Sequence, residues 1–220
     1  MIWNLFRNKK KDNYPLFWKE YLNCFELEQT QNWKQLRFVV LDTETTGFSK
    51  QEDRILSIGC VSLTSNKIEV SNNFEVYLNQ SVFKAETVKI HGLLKGGKLT
   101  KIDEIEALKQ FLDYIKNDVL VAHHASFDIG MIDEALIRNG LGRLQNKCLD
   151  TSALYKKSKH LVYQDHVKNY TLDELCEELK VQQTDRHTAI GDALITAIVF
   201  QKILSRIFFN KTFDLKKLFY

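Results

Sequence analysis

Tyr14, Phe17, Trp18, Tyr21, Leu22 and Phe25 recur at the spacing of one helical face, which predicts an amphipathic helix near the start of the chain. Pro15 suits the first turn of such a helix, where its missing N–H costs nothing. From Leu36 the period shortens to two. Residues 36–41 read as one strand, 55–63 as a second and 68–78, with Phe74, Val76 and Leu78 alternating, as a third. Short connections, one of them turned at Asn66, make these an antiparallel meander. The helical period returns over 102–115, where Ile105, Leu108, Leu112 and Ile115 share a face. A short buried strand at 119–122, a helix from about 127 to 138 and a last strand at 148–150 follow. Residues 170–179 and 189–207 complete a helical second half.

Strands first, then strands alternating with helices, predict an α/β chain: a mixed five-stranded sheet flanked by helices. The pattern divides the chain into an N-terminal helical extension (1–35), a main domain (36–207) and a basic, aromatic tail (208–220). The aromatic stripe of the extension is expected to pack back on the main domain; a docking helix for a protein partner is the second reading. A chain of 220 residues can bury one substantial core. With 44% apolar and 27% charged residues, it has the composition of a globular protein. No apolar stretch approaches the ~18–20 residues of a membrane span, and the first residues lack the order of a signal peptide. Cys24, Cys60, Cys148 and Cys176 form no C-x-x-C pair. They read as reduced thiols, which points to the cytoplasm and away from structural zinc. A net charge of +3 is too small to announce a polyanion binder. Two basic concentrations, 155–160 and 206–220, could contact phosphate or simply be solvated faces.

The candidate chemistry lies at three places. Asp42 and Glu44 follow directly on the apolar run Phe38-Val39-Val40-Leu41. In an extended strand they point the same way, about 7 Å apart along the backbone, so both carboxylates can converge on one hard cation. A turn built from Asp42, the threonines and Gly47 would explain neither the shared face nor the placement on an apolar strand. Asp128 falls in the first turn of a helix, with Ser126 as the expected N-cap; alone, it could merely complement the helix dipole. His187 and Asp192 flank the start of the last helix. Five residues along a helix would set them about 140° apart, so they cooperate only if His187 rides on the preceding loop. A histidine there suits proton transfer near neutral pH, although a plain surface histidine beside Arg186 is the simpler account of it alone. Together these groups read as metal-dependent phosphoryl transfer, nuclease chemistry above all.

Asp-x-Glu-Thr-Thr-Gly at 42–47, His-His-Ala-Ser-Phe-Asp at 123–128 and His-Thr-Ala-Ile-Gly-Asp-Ala at 187–193 resemble, in order, the three motifs of the DEDDh exonucleases. That family includes the proofreading epsilon subunit of bacterial DNA polymerase III. The resemblance runs from about Leu36 to Ser205. Ile90-His91-Gly92-Leu93 is similar to the family's segment near the substrate 3′ end. Asp150-Thr151 is similar to its mid-domain Asp-Thr, which is not among the four ligands. The five-residue step from His187 to Asp192 is that of the histidine branch. Epsilon-type members begin close to the first motif, whereas here the segment 1–35 precedes the domain.

The resemblance implies a ribonuclease H-like fold and a 3′–5′ exonuclease releasing nucleoside 5′-monophosphates in proofreading or repair. It implies two Mg²⁺ or Mn²⁺ ions held by Asp42, Glu44, Asp128 and Asp192. Asp42 would bridge both, Glu44 and Asp192 would complete the water-bearing ion, and His187 would be the general base. Backbone through Thr43, Thr45, Thr46, Gly47 and Phe48, with His91, His123 and Phe127, is expected to hold the terminal nucleotide of a single strand, DNA being favoured. RNA is the rival substrate, because the same metal core cuts either polymer. A non-catalytic nucleic-acid or partner-binding module would be expected to have lost a carboxylate or the histidine, and all five are present.

Overall fold

The computed structural model describes residues 13–26, 30, 32, 34–82, 99–159 and 169–219. Helix α1 (Leu16–Asn23) and a 3₁₀ turn (Cys24–Glu26) lead into strands β1 (Arg37–Thr45), β2 (Ile55–Thr64) and β3 (Lys67–Leu78). Then come β4 (Lys101–Ile102), α2 (Glu104–Ile115), β5 (Val119–Ala122), α3 (Ser126–Arg138) and β6 (Cys148–Asp150). The chain continues through α4 (Thr151–Ser158), α5 (Leu172–Leu179), α6 (Ala189–Ile207) and α7 (Lys216–Phe219). The strands form one sheet in the order β4-β3-β2-β1-β5-β6. β1, β2 and β3 are the expected antiparallel meander, while β4, β5 and β6 pair parallel to their neighbours. Ser65 (φ 51°) and Asn66 (φ 62°) close the β2–β3 hairpin. Two left-handed residues are what a two-residue turn needs to match the strand twist.

The structure departs from the sequence expectations at four points. The sheet has six strands among the described residues, not five: β4 is two residues long, too short to show a period, and pairs with Tyr77 and Leu78. Helix α4 was not foreseen, because its large apolar buried residues, Leu154 and Tyr155, are adjacent and give no helical spacing. Ser126 does not cap α3. Ala125 holds that position without a side-chain bond, and its N–H instead donates to Asp150 Oδ2 at 2.8 Å from the neighbouring strand. Pro15 likewise stands one residue ahead of α1, in extended backbone.

Side chains of β1 alternate between two apolar layers. Phe38 and Val40 face α4, α5 and α6; Val39 and Leu41 face α1, α2 and α3. Burial on both faces explains why β1 reads as a continuous apolar run. Phe38 meets Phe200 of α6 edge-on at 5.2 Å between ring centroids, and each such fully buried side chain contributes about 1.5–3 kcal/mol. Trp18 and Tyr21 of α1 are buried in the second layer. The Tyr21 hydroxyl donates to Asn146 Oδ1 (2.7 Å) and accepts from Gln145 N–H (2.8 Å). The aromatic stripe therefore packs back on the domain. Among the described residues no helix is long and apolar enough to cross a membrane, and all four cysteines are free thiols.

Candidate active site

The alternation of β1 continues past its apolar run and distributes the chemistry between faces. Asp42 and Glu44 follow Phe38 and Val40 towards α6, where their carboxylate oxygens and those of Asp192 lie within 4.8 Å of one another. Thr43 points the other way, towards α3. There Asp128 Oδ1 accepts from Thr43 N–H (3.0 Å) and Thr43 Oγ1 (2.7 Å). Three carboxylates thus meet on one side of the strand end, and the fourth is fixed from the other.

The third carboxylate is delivered by the start of α6. Thr188 caps the helix, accepting from Gly191 N–H at 3.1 Å, so Asp192 falls in the first turn. Gly59 is the register partner of Asp42 on β2. A Cβ at Gly59 would lie 2.3 Å from the Ala189 carbonyl carbon and the Ile190 nitrogen, so this glycine lets the helix start lie directly on the sheet. His187 rides on the preceding loop in left-handed backbone (φ 63°). Its side chain is exposed, and its N–H donates to Asp192 Oδ2 at 3.3 Å. The arrangement is the one in which His187 and Asp192 can cooperate.

The cluster repels itself. Burial, then the charges of Asp128 and Asp192, hold the Asp42 carboxyl well above the usual carboxylate range. Burial, then Asp192, pushes Glu44 up to about 7. Asp128 also rises to about 7 through burial, against the opposing hydrogen bonds from Thr43. Arg186, unanticipated as a site residue, lowers the strain: its Nη1 donates to Asp192 Oδ1, and its Nε and Nη2 reach Asp173 Oδ1 at 3.0 and 2.9 Å. Burial works against the guanidinium charge, but Asp192 and Asp173 raise its pKa overall.

The loop after β1 is organised by buried Asp53. Its Oδ1 accepts from Thr46 Oγ1 (2.8 Å) and its Oδ2 from Ser49 N–H (3.0 Å); a Cβ at Gly47 would strike this carboxylate at 2.5 Å. Thr45 Oγ1 donates to the Gly47 carbonyl at 2.7 Å. The hydroxyls of Thr45 and Thr46 are thus engaged in building the loop, and that of Thr43 in holding Asp128. Phe48, 83% exposed, stands 6.0 Å from Phe127 between ring centroids. Lys50 ties the loop to α3, donating to the Ser126 carbonyl at 2.7 Å and lying where a Cβ of Gly130 would be.

His123 turns Nδ1 to Thr151 Oγ1 at 2.9 Å. Burial, then His124, pushes its pKa down to about 4, so it is a neutral group of the loop frame at pH 7. Asp150 accepts from Ala125 N–H at 2.8 Å and, as the N-cap of α4, from Ala153 N–H at 3.1 Å. His91 lies outside the described residues. Of the residues that sequence reasoning missed, Gly59 carried a signal, a glycine inside a strand. Lys50, Asp53 and Arg186 carried none, because each acts on a partner that only the fold brings near.

The family model described as Exonuclease, of the RNase T type, matches residues 39–200. The chain belongs to this exonuclease family. The "DNA polymerase III PolC-type" protein of Caldanaerobacter subterraneus subsp. tengcongensis is 38% identical over 179 residues, 77% of this chain. The PolC-type protein of Staphylococcus epidermidis is 33% identical over 177 residues, 80% of this chain. The exonuclease chain spans only 12% of the length of these relatives. Among solved structures, cell-death related nuclease 4 shares the fold at a TM-score of 0.67 and 14% identity, covering 80% of this chain and 66% of that one. E. coli Exonuclease I in complex with a dT13 oligonucleotide shares it at 0.65 and 15%, covering 78% and 42%. The ribonuclease H-like expectation is met.

Proposed function

We propose that the chain is a divalent-metal-dependent 3′–5′ exonuclease that removes nucleoside 5′-monophosphates from single-stranded DNA, in proofreading or repair. The observation that carries this reading is the convergence of Asp42, Glu44 and Asp192, with Asp128 fixed behind them. The donor set fits two Mg²⁺ or Mn²⁺ ions: it consists of hard oxygens, and it offers four mutually repelling carboxylates to cation charge. Divalent cations held there would polarise the scissile phosphate and lower the pKa of the attacking water. Asp42, whose carboxyl feels the charges of both Asp128 and Asp192, would serve both ions. Glu44 and Asp192 would hold the one nearer α6, and Asp128 would support the other.

His187, beside Asp192 on an exposed loop, would take the proton of the attacking water, a role worth roughly 10²–10⁴ in rate. Phe48 and Phe127 would stack on the terminal bases, with backbone of 43–48 and, from outside the described residues, His91 completing the hold. Residues 36–207 form the exonuclease unit in this reading, with α1 docked against it and 208–220 as a tail. The unpaired cysteines suit a reducing, cytoplasmic setting. DNA is favoured over RNA because the relatives are named DNA polymerases.

Matched DNA and RNA oligonucleotides, each labelled at the 5′ end, test the assignment. The expected result is a ladder of DNA products shortened from the 3′ end, with nucleoside 5′-monophosphates released and RNA degraded more slowly. Faster loss of RNA would replace the substrate, and immediate release of the 5′ label as a mononucleotide would overturn the polarity.

A further inference from the structure

The two basic concentrations of the sequence, separated by some fifty positions, become one surface in the fold. Lys157 at the end of α4 and Lys211, Lys216 and Lys217 around α7 line a single groove of about 680 Å³. Lys157 Nζ donates to the Lys217 carbonyl and so closes one side of it. Asp214 is the one carboxylate among the lining residues, and its Oδ1 is turned to the chain, accepting from Lys216 N–H at 3.0 Å. Phe208 lines the groove, and the next residue, Phe209, is 72% exposed. Lysines that are merely solvated gain by standing apart; here the fold gathers four of them around a groove in which Asp214 is the one acidic side chain among the described lining residues.

The groove stands at the far end of the helices that build the catalytic end. α4, capped by Asp150 beside the site, finishes at the groove. α6 carries Asp192 in its first turn and ends at the groove with Ile207, about 22 Å along the helix from Asp192. We infer that this groove is a second nucleic-acid contact, holding phosphates of the strand upstream of the 3′ end in the catalytic cluster. The inference rests on the proposed exonuclease function for the polymer it names. A phosphate backbone supplies the charge complement that four lysines ask for, and the exposed Phe209 ring offers a stacking surface for an unpaired base.

The test compares the full chain with a Lys211→Glu/Lys216→Glu/Lys217→Glu variant and its triple Gln counterpart, whose milder change guards against misfolding. Fluorescence anisotropy in EDTA reads binding of a fluorescein-labelled single strand of about 24 nucleotides, long enough to span both sites. Hydrolysis of a strand of about 3 nucleotides, too short to span them, is read with Mg²⁺. The expected result is about tenfold weaker binding of the long strand by the Glu variant, with a salt slope shallower by about 2 for three lost contacts. The short strand should be cut at the wild-type rate. Unchanged long-strand affinity and salt slope would overturn the inference. So would an equal loss on the short strand, or a charge-dependent complex with poly-glutamate alone, which would make the groove a site for an acidic protein. If the wild type cut neither strand but the variants still lost long-strand affinity, the exonuclease reading would fail and the groove would stand.

Discussion

Asp42, Glu44 and Asp128 are carboxylates placed where they ionise reluctantly, and that reluctance can be measured. A carboxyl with a raised pKa in the folded state stabilises the protein while protonated, and this contribution is lost as pH rises towards the folded value. For Glu44 the window runs from the ordinary 4.5 to about 7. Metal-free protein is therefore expected to melt at progressively lower temperature between about pH 5 and pH 8. Glu44→Gln should flatten part of that decline, and Mg²⁺ at pH 8 should reverse it. A melting temperature that climbs over the same range would contradict the electrostatic account. His187 poses a different question, because its side chain is exposed while its backbone is tied to Asp192. His187→Ala is expected to lower kcat by roughly 10²–10⁴ with little change in KM. A change confined to KM would make it a binding residue. The five motif residues were legible in the sequence because each has a fixed local setting. Arg186 was not, since its role depends on Asp173 and Asp192, which only the fold brings together.

At the scale of elements, the site is a junction of one strand end and two helix starts, and its precision depends on how closely they approach. The period-two pattern of β1 foretold that Asp42 and Glu44 share a face. It could not foretell that Thr43, on the other face, would anchor Asp128. Nor could it reveal that Gly59, across the ladder from Asp42, lets α6 lie on β2. Gly59→Ala would drive a methyl group to 2.3 Å from the backbone at Ala189, so α6 must shift. Overpacking of this kind costs about 1–3 kcal/mol. The expected outcome is a lower melting temperature together with Mg²⁺ affinity reduced at least about tenfold, since a displaced Asp192 leaves the cluster. Unaltered Mg²⁺ binding in a folded Gly59→Ala protein would show that the close approach does not position the ligand.

Across the whole molecule, two apolar layers hold a mixed sheet whose central strands carry the chemistry to one end, the carboxyl edge where ligands of α/β sheets gather. The lengths and periods of β1, β2, β5, α2 and α6 were readable because each buries a continuous face, whereas β3 showed its alternation only towards its end, at Phe74, Val76 and Leu78. The two-residue β4 escaped because it is too short to show a period, and α4 because its large apolar residues, Leu154 and Tyr155, are adjacent. The N-terminal aromatic stripe is explained by packing, with Trp18 and Tyr21 enclosed against α2 and α3. What the whole structure adds is an assembly of acidic groups that is unfavourable on its own and that the proposed divalent cations would relieve. The most direct measurement is hydrolysis of a 5′-labelled DNA single strand by wild type and Asp42→Asn, with Mg²⁺ and with excess EDTA. Wild type with Mg²⁺ should shorten the strand from its 3′ end, and both chelation and the Asn substitution should abolish cutting. Activity that survives either would contradict the carboxylate–metal account.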